Sequence, residues 1–177
     1  MKAAPQTSRL FFAVWPPRAS AEALHAWALE TQHATGGRVT RAETIHLTLV
    51  FLGEVSDNEL SGAIQAAREA KSDSHVMILE QAKFWRHNRI VWVGPRETPE
   101  PLGLLVESLK AQLMAKNFKT ENRPFAAHIT LIRKAREPRQ LPQLPAVNWP
   151  VEEFVLVRSQ LSADGSRYER LESFALS

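Results

Sequence analysis

The chain has 177 residues, enough for one domain with a sizeable buried core, and its 44% hydrophobic and 23% charged composition is that of a globular protein. It holds no cysteine, which excludes disulfides and thiol chemistry and fits a reducing cytoplasm, and neither an apolar run of membrane-spanning length nor a secretory pattern occurs. The net charge is only +3, but between Lys116 and Arg139 seven basic residues stand against Glu121 and Glu137, a local field that favours an anionic substrate.

In chain order, Met1–Thr7 reads as a loose end and Arg9–Trp15, closed by Pro16-Pro17, as a buried strand. Ala21–His33 carries Leu24, Trp27, Ala28 and Leu29 at helical spacing, and Gly36-Gly37 stops it. The strand Thr44–Leu52 follows and ends at Gly53. Ser56-Asp57-Asn58-Glu59 has the form of a capping box and opens a helix reaching Ala70. His75–Trp85 reads as one strand and Ile90–Val93 as another, a hairpin turning at His87-Asn88-Arg89. Pro99-Glu100-Pro101 suits the first turn of a helix whose Leu102, Leu105, Val106, Leu109 and Leu113 make one apolar stripe, with Asn117 as its stop. A strand spans Pro124–Arg133, a proline-spaced loop Pro138–Pro145. Phe154–Val157 and Tyr168–Leu176 are the last strands, joined by a hairpin turn at Ala163-Asp164-Gly165-Ser166.

Two of these strands carry the same four-residue pattern: His46-Leu47-Thr48-Leu49 and His128-Ile129-Thr130-Leu131. Side chains alternate along a strand, so His46 shares a face with Thr48, and His128 with Thr130, while the leucines and Ile129 turn to a core. Each strand thus presents an imidazole beside a hydroxyl. His46 lies 36 positions after Leu10, and His128 lies 38 after Ile90, each with a helix between. The repeated order predicts an α+β fold of two pseudo-symmetric lobes, near 9–85 and 88–177 of a single domain 1–177. Each lobe is expected to be an antiparallel sheet with helices packed outside, and the site to lie in the cleft between them.

An imidazole titrates near neutrality and can give or take a proton there. Two of them astride one phosphorus suit an in-line displacement, with the threonine hydroxyls donating to non-bridging oxygens. No metal-binding motif occurs, and the chemistry needs no metal and no cofactor. Taken singly, His25, His33, His75 and His87 read as structural or solvated. Of Trp15, Trp27, Trp85, Trp92 and Trp149, most read as core, though each could stack on a base. Phe11 and Phe12 alternate, so only one of them can face the cleft.

The sequence also resembles a known family. Arg9-Leu10-Phe11-Phe12-Ala13, His46-Leu47-Thr48-Leu49 with Phe51-Leu52-Gly53-Glu54, and Arg123-Pro124-Phe125 leading to His128-Ile129-Thr130-Leu131 are similar to the 2H phosphoesterases, in particular the bacterial RNA 2′,3′-cyclic phosphodiesterases, also called 2′-5′ RNA ligases. The likeness runs from Arg9 through Leu161–Tyr168 to Phe174-Ala175-Leu176; Ala127 departs from it, standing where the family often has proline. The resemblance implies hydrolysis of RNA 2′,3′-cyclic phosphate ends, tRNA halves among them, to 2′-phosphates, and ATP-independent 2′-5′ joining as the reverse. It implies His46 as general acid and His128 as general base, with Thr48, Thr130 and Arg133 holding the phosphate. On alternation alone Arg133, five positions from His128, faces away from it. The expected protein is a cytoplasmic monomer without membrane contact. Two other readings stay open: an RNA-binding module without turnover, and a phosphodiesterase for a small cyclic nucleotide.

Overall fold

The computed structural model describes residues 6–177, so the expected loose end lies outside the described residues except for its last two positions. The first sheet has the strand order β10-β9-β1-β3: β1 is Thr7–Val14, β3 Leu47–Ser56, β9 Glu153–Ser162 and β10 Gly165–Ala175. The second is β2-β7-β6-β5, from Arg38–Val39, Ile129–Arg133, Ile90–Gly94 and Gln81–Trp85 respectively. Every pairing is antiparallel. The duplicated order is visible in the pairing. Each histidine-bearing motif runs into a strand, β3 or β7, that bonds to the strand opening its own repeat, β1 or β6.

The two sheets do not divide the chain near residues 85–88. The first is completed by the C-terminal hairpin β9–β10, and the second borrows β2 from the N-terminal half. Helices cross over as well. The helix α1 (Arg18–Thr35), which follows β1, packs on β2, β7 and β8 (Val147–Val151), whereas α3 (Glu100–Ala115), which follows β6, packs on β3 and on α2 (Asp57–Glu69). The apolar stripe of α3 is wholly buried, from Leu102 to Leu113. At roughly 1.5–3 kcal/mol for each large aliphatic side chain, that stripe clamps the helix to the core. One continuous buried cluster joins Leu10, Phe12 and Leu47 to Val91, Leu131 and Trp149.

Four local expectations need correction. The strands expected over Thr44–Leu52 and Pro124–Arg133 begin only at Leu47 and Ile129. His75–Trp85 is two strands, β4 (His75–Leu79) and β5, broken at Glu80. The first pairs with β8 in a separate two-stranded sheet and the second with β6, which sequence alternation running unbroken through the join does not disclose. The strand β3 continues past Gly53, whose φ of 74° belongs to a bulge against β1. Strands β2 and β8 were not expected, the one being two residues long and the other carrying Pro150. Glu59 does close the capping box, accepting from the Ser56 backbone N–H at 2.9 Å and from its hydroxyl at 2.7 Å. Among the described residues no helix is long and apolar enough to cross a membrane.

Candidate active site

His46 and His128 each sit one residue before their strand begins, and each imidazole Nδ1 bonds to the carbonyl two residues back: Thr44 at 2.7 Å and Ala126 at 2.9 Å. A carbonyl only accepts, so Nδ1 carries the proton in both rings. Nε2 is thereby left as the working nitrogen. His75 makes the same local bond, to Asp73 at 3.0 Å, yet lines neither the cavity that His46 and His128 share nor its neighbour, so the bond alone does not mark a site. What distinguishes the pair is that both line one cavity of about 460 Å³.

Thr48, Thr130 and Arg133 line that cavity too. Among the described residues neither threonine hydroxyl is engaged in a hydrogen bond with protein. A bulge explains how Arg133 reaches the cavity against simple alternation. Thr130 pairs with Trp92 and Ile132 with Val91, so Leu131 is an extra residue on β7. Leu131 and Ile132 both turn inward, each fully buried, and Arg133 returns to the face of His128 and Thr130. The first motif repeats the device. Ala13 pairs with Thr48 and Phe12 with Val50, leaving Leu49 extra, and Leu49 and Val50 are both buried. Phe51 therefore occupies the position equivalent to Arg133. Its ring is 37% exposed, lies under the Arg9 guanidinium at 5.0 Å, and lines a second cavity of about 440 Å³ that also touches His128 and Thr48.

The strand β1 decides what surrounds His46. Leu10, Phe12 and Val14 point to the main core, while Phe11 and Ala13 point the other way with Trp15 and Tyr168. Phe11 is thus the phenylalanine on the cleft side. Trp15 stacks on the His46 ring at 4.8 Å and 15°, Phe11 and Tyr168 stand 5.2 Å away, and the Trp15 indole N–H donates to the Glu43 carbonyl at 3.0 Å. His128 has a looser wall, Trp85 at 4.7 Å and Trp92 at 6.2 Å. Of the expected bystanders, His87 lines the second cavity, while His25 and His33 line neither.

Burial holds both imidazoles below their ordinary pKa, opposed by the carbonyl at Nδ1. The His46 pKa falls from 6.5 to about 4, with the Arg133 and His128 charges adding to the depression; Arg123 and Arg133 act likewise on His128. The unfolded chain protonates its histidines near 6.5, so between there and about 4 it binds more protons than the folded one, and stability drops as pH falls through that window. For His46 the loss reaches at most about 3 kcal/mol. Thermal unfolding at pH 7 and pH 5 measures it. A melting temperature unmoved by that step contradicts an imidazole held neutral by its walls.

The basic run at 116–139 contributes less than its count suggests. Of its members only Arg133 lines the first cavity and only Arg123 the second; Lys116 pairs with Glu69 at 3.5 Å and Arg123 with Glu121 at 2.8 Å. The remaining cations of the cavities are Arg38 and Arg41 in the first, Arg9 and Lys110 in the second. Sequence reasoning missed Arg38, Arg41 and Phe51. Phe51 had a signal, since it stands as far after His46 as Arg133 stands after His128.

Comparison with known proteins places the chain in a family. The model of the LigT-like phosphoesterase family matches the chain twice, over residues 14–92 and 93–168. The RNA 2′,3′-cyclic phosphodiesterase of Escherichia coli is 35% identical over 173 residues, 97% of this chain and 98% of the relative; that of Thermus thermophilus is 34% identical over 95% and 90%. The crystal structure of E. coli LigT complexed with 3′-AMP superposes with a TM-score of 0.89 at 33% identity, covering 97% of this chain and 99% of that one.

Proposed function

The chain belongs to the LigT-like phosphoesterase family, and from that premise we propose that it is an RNA 2′,3′-cyclic phosphodiesterase, opening terminal cyclic phosphates to 2′-phosphates. One observation carries the reading: two imidazoles with Nε2 free, the uncommitted hydroxyls of Thr48 and Thr130 and the Arg133 guanidinium all meet at a single cavity.

The chemistry follows from those groups. Neutral His128 takes a proton from water through Nε2 as the water oxygen bonds to phosphorus. The bond from phosphorus to O3′ breaks on the opposite side, and His46, protonated at Nε2, gives its proton to the departing oxygen. The product keeps its phosphate on O2′. A buried imidazolium with a depressed pKa releases its proton readily, which suits the donor role, and the anionic phosphate between the rings supplies the charge that loads it. The hydroxyls of Thr48 and Thr130 and the fork of Arg133 receive the oxygens on which charge builds. Acid and base together contribute about 5–11 kcal/mol of barrier lowering. With a 5′-hydroxyl RNA end in place of water, run in the joining direction, the same steps make a 2′-5′ bond without ATP. We read the enzyme as a cytoplasmic monomer acting on RNA fragments such as tRNA halves, a setting its lack of cysteine suits.

Incubation with an oligonucleotide ending in a 2′,3′-cyclic phosphate, in EDTA, tests the reading. Release of 2′-phosphate ends supports it; binding without turnover leaves only an RNA-binding module, and turnover that requires added metal contradicts the acid–base scheme. Phe51 offers an exposed aromatic face beside the reactive phosphate, where a nucleobase can stack. Phe51→Ala is expected to lower kcat/KM by about 5- to 100-fold, the weight of one base–aromatic stack, and Phe51→Tyr to restore most of it. An alanine variant as fast as wild type removes Phe51 from the substrate.

A further inference from the structure

The inner end of the first cavity is occupied by the groups already assigned to the reactive phosphate. Its outer end is not. There the strand β2, the turn Ala42–Thr44 and the tip of the β9–β10 hairpin enclose space lined by Arg38, Arg41, Asp164 and Ser166.

Arg38 is the cross-strand partner of Arg133. Directly paired residues project to the same face about 4.5–5.5 Å apart, and like charges so placed destabilise a sheet. Among the described residues no carboxylate forms an ion pair with either arginine. Arg38 reaches outward to the hairpin tip, its Nη1 standing 3.8 Å from where a Cβ on Gly165 would be. Arg41 crosses to the same tip, donating to the Ser166 carbonyl at 3.3 Å while Glu43 lies 3.7 Å from its other nitrogen. Among the described residues Asp164 is the only carboxylate lining this cavity. The two cavities also differ in kind. Among the described residues the first has, besides the two imidazoles, Tyr168 as its one aromatic wall, whereas the second has Phe51, Trp85 and Phe125. Stacking faces suit bases; guanidinium groups without them suit the sugar–phosphate chain.

We propose that Arg38 and Arg41 form a second anion subsite at the outer end of this cavity, which takes a phosphodiester of the RNA chain next to the reactive nucleotide. The subsite rests on the functional reading above and deepens it: it makes the enzyme prefer a polynucleotide to a cyclic mononucleotide. Arg41 is held by Glu43, whereas Arg38 has no ion-pair partner among the described residues and is neutralised when the chain's phosphate enters.

The test compares wild type, Arg38→Ala and Arg41→Ala on a hexanucleotide with a 2′,3′-cyclic phosphate and on adenosine 2′,3′-cyclic monophosphate. Each variant should lose about tenfold in kcat/KM on the hexanucleotide, chiefly through KM, and change less than about twofold on the mononucleotide, as one guanidinium–phosphate contact is lost. The salt dependence of kcat/KM for the hexanucleotide should flatten by roughly 0.7 in log–log slope for each contact removed, as for single strands. Mononucleotide turnover guards against misfolding, and Arg38→Ala, which relieves a like-charge pair, should melt no lower than wild type. An equal loss on both substrates, or a loss on neither, overturns the subsite. Wild type inert on both substrates defeats the functional reading itself, and with it the subsite.

Discussion

Alanine at His46 or at His128 is expected to cut hydrolysis of a 2′,3′-cyclic-phosphate oligonucleotide by about 10²–10⁴, the weight of one positioned acid or base. Both rings line the same cavity, so either loss leaves one proton transfer without its partner. The two variants need not behave alike. A substrate whose 3′ oxygen is replaced by sulfur has a leaving group that departs without protonation. If His46 is the acid, His46→Ala recovers most of its lost rate on the thio substrate, while His128→Ala stays slow. Recovery in the opposite variant reverses the assignment; recovery in neither removes the acid role from both. The fold has its own control. Because His46 protonates only near pH 4 when folded, its replacement should narrow the gap in melting temperature between pH 7 and pH 5.

Arg133→Ala is expected to lower kcat by about 10²–10³, the loss that follows removal of one donor aimed at developing charge. Arg133→Lys should recover part of it, since an ammonium keeps the charge and loses the planar fork. Single-turnover kinetics separates this from weaker binding. An effect confined to KM would demote Arg133 to an outer contact. Its removal also lifts one source of pKa depression from both imidazoles, so the acid limb of the pH–rate profile should move upward.

The paired motifs were legible because His-x-Thr in extended chain has one physical outcome, imidazole and hydroxyl on one face and aliphatics on the other, and it holds although each histidine stands one residue before its strand. The repeat also leads to His46 and His128 at one cleft, and both line a single cavity. The position of Arg133 was not legible from alternation, since a bulge is written in the pairing of two distant strands and not in the residues that make it. Val91 and Trp92 must be laid against Thr130 and Ile132 before Leu131 shows as extra. Pairing likewise hid the break at Glu80 and the sheet shared by the chain's two ends. The arginines of β2 escaped for a related reason. A two-residue strand has no periodicity, and its place beside Arg133 is fixed only by tertiary structure.

The late arrival of β9 and β10 bears on how the protein is made. A growing chain that has emerged from the ribosome only as far as β8 holds everything needed for the second sheet, but β1 has a bare edge and the His46 ring lacks Tyr168. Such an intermediate displays an open edge on a largely apolar strand, the kind of edge that recruits other chains. Completion of the walls around His46 therefore waits on the β9–β10 hairpin. A message cut short before the final hairpin yields a sticky fragment rather than a weak enzyme.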